Sequence, residues 1–439
     1  MIKTSEYSQL SLSRKPAIED EKKSQDTCRS LIILLLIAVA CLPISYALTI
    51  LFMHFNQEVP EPPITSTTLQ TTTSTKSSLH NAAACGKRII GYYTEWENAD
   101  VTKEQLDKLT HVIYLFAAVQ ENGTIKLEGE KSERRFYGLK NEAITSNPEL
   151  KVMIGVGGHA NSPRFSPIVS DTRKRGKLID SIVTFIDENY LDGVEIFWVW
   201  SYETNKVHHS KFIRELRKKL TDLKIQKKRS EEYLISVIVP PSISHLTSGY
   251  YLNEIMKDVD FLNVLSYDYY FNGNQIGPHS PIYGGTRGNV DETMKFLACR
   301  TGKPSKLNMA VPFYGTYWVN ASFPLLDDSD NIWKEKGSAG GPFAVRWNEL
   351  IPKGWDKESA KFHEKSKTSY IWIPETKHFL TFENERSLQE KAKYVKNHNI
   401  GGVVIWAIDQ DDVANTLLNV VSSSDICSVK DKDIVEYLC

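Results

Sequence analysis

The stretch Leu191-Asp192-Gly193-Val194-Glu195-Ile196-Phe197-Trp198-Val199-Trp200 decides how the rest of the chain is read. It is a short apolar strand opening into a loop. It lies between a helix-like run from Lys177 to Asn189 and another from Phe212 to Leu223. In an extended chain successive side chains point to opposite faces, so Glu195, Phe197 and Val199 share one face while Val194, Ile196 and Trp198 share the other. Outward from this strand, short apolar strands alternate with amphipathic runs, the pattern of repeated βα units and a parallel sheet. The expected strands are 89–93, 111–117, 151–156, 193–198, 234–239, 261–265, 307–311 and 402–406. Eight of them predict a closed (β/α)8 TIM barrel with its functional residues at the C-terminal strand ends. The seventh unit is too long for one crossover. Its aromatic-rich stretch (Trp318, Trp333, Trp347, Trp355, Tyr370, Trp372) predicts a small α+β subdomain inserted at about 316–373.

Several strand ends carry a shared signature. Asp192, Gly193 and Trp198 match the Asp-Gly-x-Asp-x-Asp-Trp-Glu pattern of the fourth barrel strand of glycoside hydrolase family 18, the chitinases and chitinase-like lectins, which this sequence resembles. Ile89-Ile-Gly-Tyr92-Tyr-Thr-Glu-Trp96 is similar to the family's first strand, and Val152-Met-Ile-Gly-Val-Gly-Gly158 to its third. Asn263-Val-Leu-Ser-Tyr267-Asp268 resembles the sixth, Pro312-Phe-Tyr314-Gly315 the seventh, and Gly401-Gly-Val-Val-Ile-Trp406-Ala-Ile-Asp the eighth. The resemblance covers Lys87 to Val421. It implies a sugar cleft lined by Tyr92, Trp96, Tyr267, Asp268 and Trp406, with Trp406 as its floor.

The resemblance also locates departures. The three inward carboxylates of the family pattern stand here as Glu195, Phe197 and Val199, the tryptophan that follows the Gly-Gly segment is His159, and the arginine after the seventh-strand tyrosine is Thr316. In the family the glutamate protonates the leaving oxygen, and its neighbouring aspartate orients the substrate's own acetamido group, which is the nucleophile. A missing general acid alone costs roughly 10² to 10⁴ in rate. Glu195 lies four residues before Val199, about 13 Å deeper at a rise of about 3.3 Å per residue, and reads as a buried, hydrogen-bonded carboxylate. Glu203 reads as a solvated loop charge, and His208-His209 as the solvated face of a helix. The sequence thus implies a degenerate site at Asp192, Glu195, Phe197 and Val199 with no catalytic residue. It predicts a protein that binds chitin-like or N-acetylglucosamine-containing glycans or a protein partner. An active glycosidase with relocated acid groups and a scaffold without sugar affinity are the alternatives.

Composition bounds the rest. A 439-residue chain that is 41% hydrophobic with a formal net charge of -1 gives no electrostatic basis for nucleic-acid binding. No cofactor motif and no metal-ligand spacing is visible. Residues 1–29 are polar, with no apolar periodicity that could support a core, and read as a disordered cytosolic tail. Residues 30–56 carry no charge. That apolar run exceeds the roughly 20 residues a helix needs to span a bilayer and the roughly 7–15 of a signal-peptide core, which predicts an uncleaved signal anchor. Arg14, Lys15, Lys22, Lys23 and Arg29 precede it and Glu58 and Glu61 follow, so the positive-inside rule predicts a single-pass type II membrane protein with a lumenal or extracellular ectodomain. Residues 57–84, rich in Ser, Thr and Pro, read as a stalk, 85–426 as the barrel and 427–439 as a tail. Asn122-Gly-Thr and Asn320-Ala-Ser are N-glycosylation sequons. Cys85, Cys299, Cys427 and Cys439 allow three pairings. Cys85 and Cys427 would bracket the barrel, and Cys299, in a helix-like run, reads as a small buried hydrophobe.

Overall fold

The computed structural model describes residues 82–321, 332–427 and 434–439. Eight parallel strands, β1 (Arg88–Thr94), β2 (His111–Val119), β3 (Lys151–Gly157), β4 (Gly193–Phe197), β5 (Leu234–Val239), β6 (Phe261–Val264), β7 (Leu307–Pro312) and β8 (Gly402–Trp406), follow one another around the sheet. β1 pairs with both β2 (Ile90 opposite His111) and β8 (Arg88 opposite Gly402), and this double pairing closes the barrel. Each expected strand is found, with ends differing by two residues at most.

The alternation within β4 divides the core in two. Val194, Ile196 and Trp198 belong to the large cluster between the sheet and the surrounding helices, whereas Phe197 joins Ile90, Tyr92, Ile113, Met153, Ile238 and Val404 inside the barrel. Because both faces are covered, the strands read as nearly continuous apolar runs. The helices that flank β4, Thr172–Asn189 and Lys206–Lys227, bury Ile179, Ile182 and Ile186 and Phe212, Ile213, Leu216 and Leu220 against that outer layer.

Between β7 and β8 stands a five-stranded antiparallel sheet in the order Gly340–Arg346, Tyr314–Val319, His378–Phe382, Thr368–Ile373 and Lys361–His363. It begins two residues before the expected insertion and ends nine after it. Trp318, fully buried, stacks on Phe379 at 5.7 Å. Among the described residues the helical content of the insertion is confined to short 3-10 turns such as Trp347–Glu349 and Lys357–Ser359, so the subdomain is a sheet with turns rather than a full α+β unit.

Two disulfides tie the barrel's ends. Cys85 bonds Cys427, and Cys299 bonds Cys439, which corrects the reading of Cys299 as a lone hydrophobe. The second pairing is favoured because the last residues lie along the helix Glu385–Asn397: the Val435 N–H donates to Asn397 O, and Tyr437 stacks on His398 at 4.6 Å. Asn122 is exposed and accepts from the N–H and hydroxyl of Thr124, and Asn320 is exposed as well. Among the described residues no helix is long and apolar enough to cross a membrane. The expected tail, the 30–56 span and residues 57–81 of the stalk lie outside the described residues.

Candidate functional site

β4 sets the site. Inside the barrel, Glu195 is fully buried and receives three donors: Tyr92 Oη at 2.5 Å, Ser236 Oγ at 2.8 Å and Asn263 Nδ2. Asn263 Oδ1 in turn accepts from Asn308 Nδ2 at 2.8 Å, and Asn308 Oδ1 accepts from Arg88 Nε at 2.9 Å. Burial pushes the Glu195 carboxyl up to about 7, while its three donors pull the other way. Tyr92, expected to line the cleft, is fully buried beneath Trp406, and its hydroxyl is committed to Glu195; it supports the floor from below. Asp192 lies at the opposite end of the strand. There it accepts from the Val152 N–H at 2.8 Å and from Arg229 at 2.6 Å, so its role is to fix the barrel's base.

One layer above Glu195 the chemistry changes. Phe197 packs edge-on against Phe116 at 4.8 Å and lies 6.0 Å from Tyr92 and 5.7 Å from Trp406. Val199 is half-buried at the cleft, and its N–H donates to Ser162 Oγ at 2.7 Å. Gly157 and Gly158 have positive φ angles of 119° and 88°, and a Cβ on them would meet Phe197 O at 2.5 Å and Phe116 Cε2 at 2.7 Å. Glycine is needed here because the end of β3 presses directly on the aromatic floor.

A cleft of about 660 Å³ opens above this floor, with Phe197, Val199, Leu265, Tyr267, Tyr314 and Trp406 among its lining residues. It continues past Trp406 into a space of about 390 Å³ beside the inserted sheet, bounded by Trp96, Arg346 and Lys353. Trp406 is half-buried with one part of its ring in the cleft, and Trp96, 40% exposed, stands 6.2 Å from it. Tyr267 lies 6.5 Å from Trp406 and stacks on His279. The Asp268 carboxylate accepts from Tyr314 Oη at 3.0 Å and lies 3.3 Å from His279 Nδ1. Desolvation pushes Asp268 up to about 6, with the Tyr314 hydroxyl opposing, and drives His279 down to about 3, so at neutral pH the aspartate is ionised and the imidazole neutral. Thr316 turns inward and shares a hydrogen bond of 2.9 Å with His279 Nδ1.

Among the described residues lining the larger space, Asp268 is the sole carboxylate. Glu349, beside the smaller one, is held by Arg346 at 2.7 Å and Lys353 at 2.9 Å. Glu195 lies below the floor, and Glu203 is exposed in the turn Glu203–Asn205. Glycoside hydrolysis in its usual form needs two carboxyl groups flanking the scissile bond, or one acid with a positioned substrate acetamide. This cleft presents an aromatic and aliphatic floor with one carboxylate, and His159, Ser242, His245, Asn272 and Arg287 stand among its other lining residues.

Sequence reasoning missed His245, Phe271 and Arg287, which line the cleft, and Phe116 and His279, which pack against its lining residues Phe197 and Tyr267. Phe116 had a signal, since it lies near the C-terminal end of the expected second strand, 111–117, where functional residues are expected. His279, Phe271 and Arg287 sit in the long segment after β6, where no periodicity or motif marks them. His209, expected on a solvated helix face, is fully buried between Trp198 at 5.1 Å and Tyr250 at 5.5 Å, because its position on the helix Lys206–Lys227 faces β4.

Residues 88–411 match the family model for glycosyl hydrolases family 18. The chain belongs to this family. Chitinase-3-like protein 2 of Homo sapiens is 25% identical over 354 residues, covering 76% of this chain and 89% of that protein. Chitotriosidase-1 of Mus musculus is 25% identical over 328 residues, covering 71% and 68%. Among solved structures, human YKL-39, described as a pseudo-chitinase with retained chitooligosaccharide binding, superposes with a TM-score of 0.68 at 22% identity, covering 77% of this chain and 99% of that one. TsES1 of Trichuris suis, described as an active chitinase, superposes with a TM-score of 0.66 at 20% identity, covering 77% and 99%. These likenesses establish the family 18 fold. One fold carries both an enzyme and a pseudo-chitinase, so the function of any member rests on its own cleft residues.

Proposed function

We propose that this protein is a family 18 barrel that binds N-acetylglucosamine oligomers or related glycans and does not hydrolyse them. The observation that carries the reading is that Phe197 and Val199, which align with the family's acid positions, line one cleft together with Trp406, Tyr267 and Asp268. The C–H faces of pyranose rings suit aromatic surfaces, and Trp406 presents one, while Asp268 offers an ionised acceptor beside it. The retained chitooligosaccharide binding described for YKL-39 supports the same reading here.

We further propose that the barrel is held at a membrane as the ectodomain of a type II protein, motivated by the charge-free run 30–56 with basic residues crowding its N-terminal flank and Glu58 and Glu61 after it. Sealed microsomes containing the full chain should protect residues 82–439 from protease and show mass loss on N-glycosidase treatment; digestion of the barrel in intact vesicles sinks the topology.

Titration calorimetry of the full chain with chitotetraose tests the binding reading. Binding should weaken about 10-fold or more in Trp406→Ala, which removes the stacking surface. Absence of heat with every N-acetylglucosamine oligomer hands the protein to the scaffold reading.

A further inference from the structure

A second groove, of about 490 Å³, opens on the outer wall of the barrel away from the cleft, and its floor is Leu246, Tyr250, Leu252 and Phe296. Two cations stand on its rim, each set over an aromatic ring: Lys206 Nζ lies 4.7 Å from the Tyr251 ring, and the Arg300 guanidinium lies 5.7 Å from Phe296. Lys206 donates to the Thr247 carbonyl at 2.7 Å, and among the described residues neither cation has a carboxylate partner. The one acid of the groove, Glu254, is already neutralised by Arg214 at 2.8 Å and Lys257 at 2.6 Å.

This contrasts with most cations of the same helix, Lys206–Lys227, among which Lys218 is the other without a carboxylate partner among the described residues. Further along it Arg217 pairs with Asp260 at 2.5 Å, Lys219 with Asp180 at 2.9 Å and Lys227 with Asp187 at 2.7 Å. The groove therefore keeps uncompensated positive charge where neighbouring cations are satisfied. Apolar surface also continues beyond it: Tyr202 is 59% exposed and Val207 56%. Both belong to the same local structure, since Gly249 packs against Ser201 and Tyr202 and Lys206 reaches Thr247. Exposed apolar side chains beside a polar rim mark an interaction site, and their presence on the segments flanking the groove, with Tyr251 on its rim 45% exposed, favours a macromolecule over a small anion.

We infer that this face docks an acidic peptide segment of a protein partner. An apolar side chain fills the floor between Leu246 and Phe296, and flanking Asp or Glu side chains meet Lys206 and Arg300. The helix Ile243–Gly249 forms the shared wall, with His245 on the glycan cleft and Leu246 and Thr247 on the groove, so the two sites are separate but adjoining.

The experiment is selection of a phage-displayed random dodecapeptide library on the full chain in lipid nanodiscs, with counter-selection on Lys206→Glu/Arg300→Glu. Enriched sequences should place an aromatic or aliphatic residue within two positions of Asp or Glu. A synthetic peptide of the consensus should bind wild type at least 10-fold more tightly than the double variant, weaken as salt rises, and bind Trp406→Ala unchanged. The milder Lys206→Gln/Arg300→Gln variant, which keeps both stems, should give a smaller loss and guards against a folding defect in the charge-reversed protein. Enrichment of neutral or basic sequences, equal binding to both double variants, or no enrichment at all overturns the proposal. So does a groove that takes 4-hydroxybenzoate at micromolar concentration while leaving the library unenriched, because that is a small-anion pocket.

Discussion

The lower interior of the barrel and its mouth are built on opposite principles, one layer apart on the same strand. Below, Arg88, Asn308, Asn263, Glu195, Tyr92 and Ser236 form a continuous polar chain with each donor matched to an acceptor. Above, the Phe197 ring sits among Phe116, Tyr92 and Trp406. Buried polar networks are costly when half-made, so the lower layer cannot lose a member cheaply. The mouth, half open to solvent, can exchange carboxylates for hydrocarbon and leave the barrel standing. Chemistry and fold are thus separable at this strand, and the boundary runs between Glu195 and Phe197.

The strongest test of that boundary is Glu195→Ala. It strands the Tyr92, Ser236 and Asn263 donors without an acceptor, and the expected loss is about 3–5 kcal/mol, against under about 1 kcal/mol for the half-buried Val199→Ala. Urea denaturation measures both; equal losses erase the distinction. A pH slope should accompany it. The folded carboxyl, raised to about 7, keeps a proton that the unfolded chain releases near 4.5, so this group's stabilising contribution is present below 4.5 and is lost as pH rises through 7. Glu195→Gln should abolish that alkaline-side decline.

A smaller effect of opposite sign belongs to the outer face of β4. His209 is packed against Trp198 and Tyr250 with neither ring nitrogen hydrogen-bonded, and burial drives it down to about 3. The folded form stays neutral while the unfolded chain protonates near 6.5, so stability is full above 6.5 and falls as pH drops, by about 2 kcal/mol at pH 5. His209→Phe keeps the ring packing and removes the titration. Its stability should therefore decline less than wild type between pH 7 and pH 5 by about that amount, and an unchanged acid limb means His209 is solvated.

The sequence made the barrel readable because each strand announced itself through apolar runs and Gly-rich ends, and the two faces of β4 followed from period two alone. The fate of Glu195 was readable for the same reason, since four residues of strand place it well below the cleft. Tyr92 was not: period two puts it inside the barrel but gives no height, and only its hydrogen bond to Glu195 shows that it lies under Trp406. The walls were illegible for a different cause. His279 and Arg287 come from irregular chain after β6, where contacts are set by tertiary packing and not by local pattern. Likewise the pairing of Cys299 with Cys439 depends on where the last residues lie, which no spacing specifies.

The smallest expected effect is the most informative about the mouth. On the proposed reading, Val199→Glu puts a carboxyl at the position that the strand pattern aligns with the family's acid, yet it should give no more turnover of a fluorogenic chitobioside than wild type, for which none is expected. The new group would stand over Phe197 and beside Leu265 and Trp406, and that apolar setting raises its pKa and keeps it protonated, as an acid requires. Protonation is not sufficient. The positive charge that develops in the transition state needs a preorganised negative partner, and Phe197 offers none, while Asp268 is already engaged by Tyr314 and His279. Phe197→Asp with Val199→Glu supplies both groups and is the variant in which turnover should first rise above background. Robust cleavage by wild type, abolished in Asp268→Asn or Glu195→Gln, would mean that the acid has moved to one of those carboxyls and that the apolar floor is a working part of an enzyme.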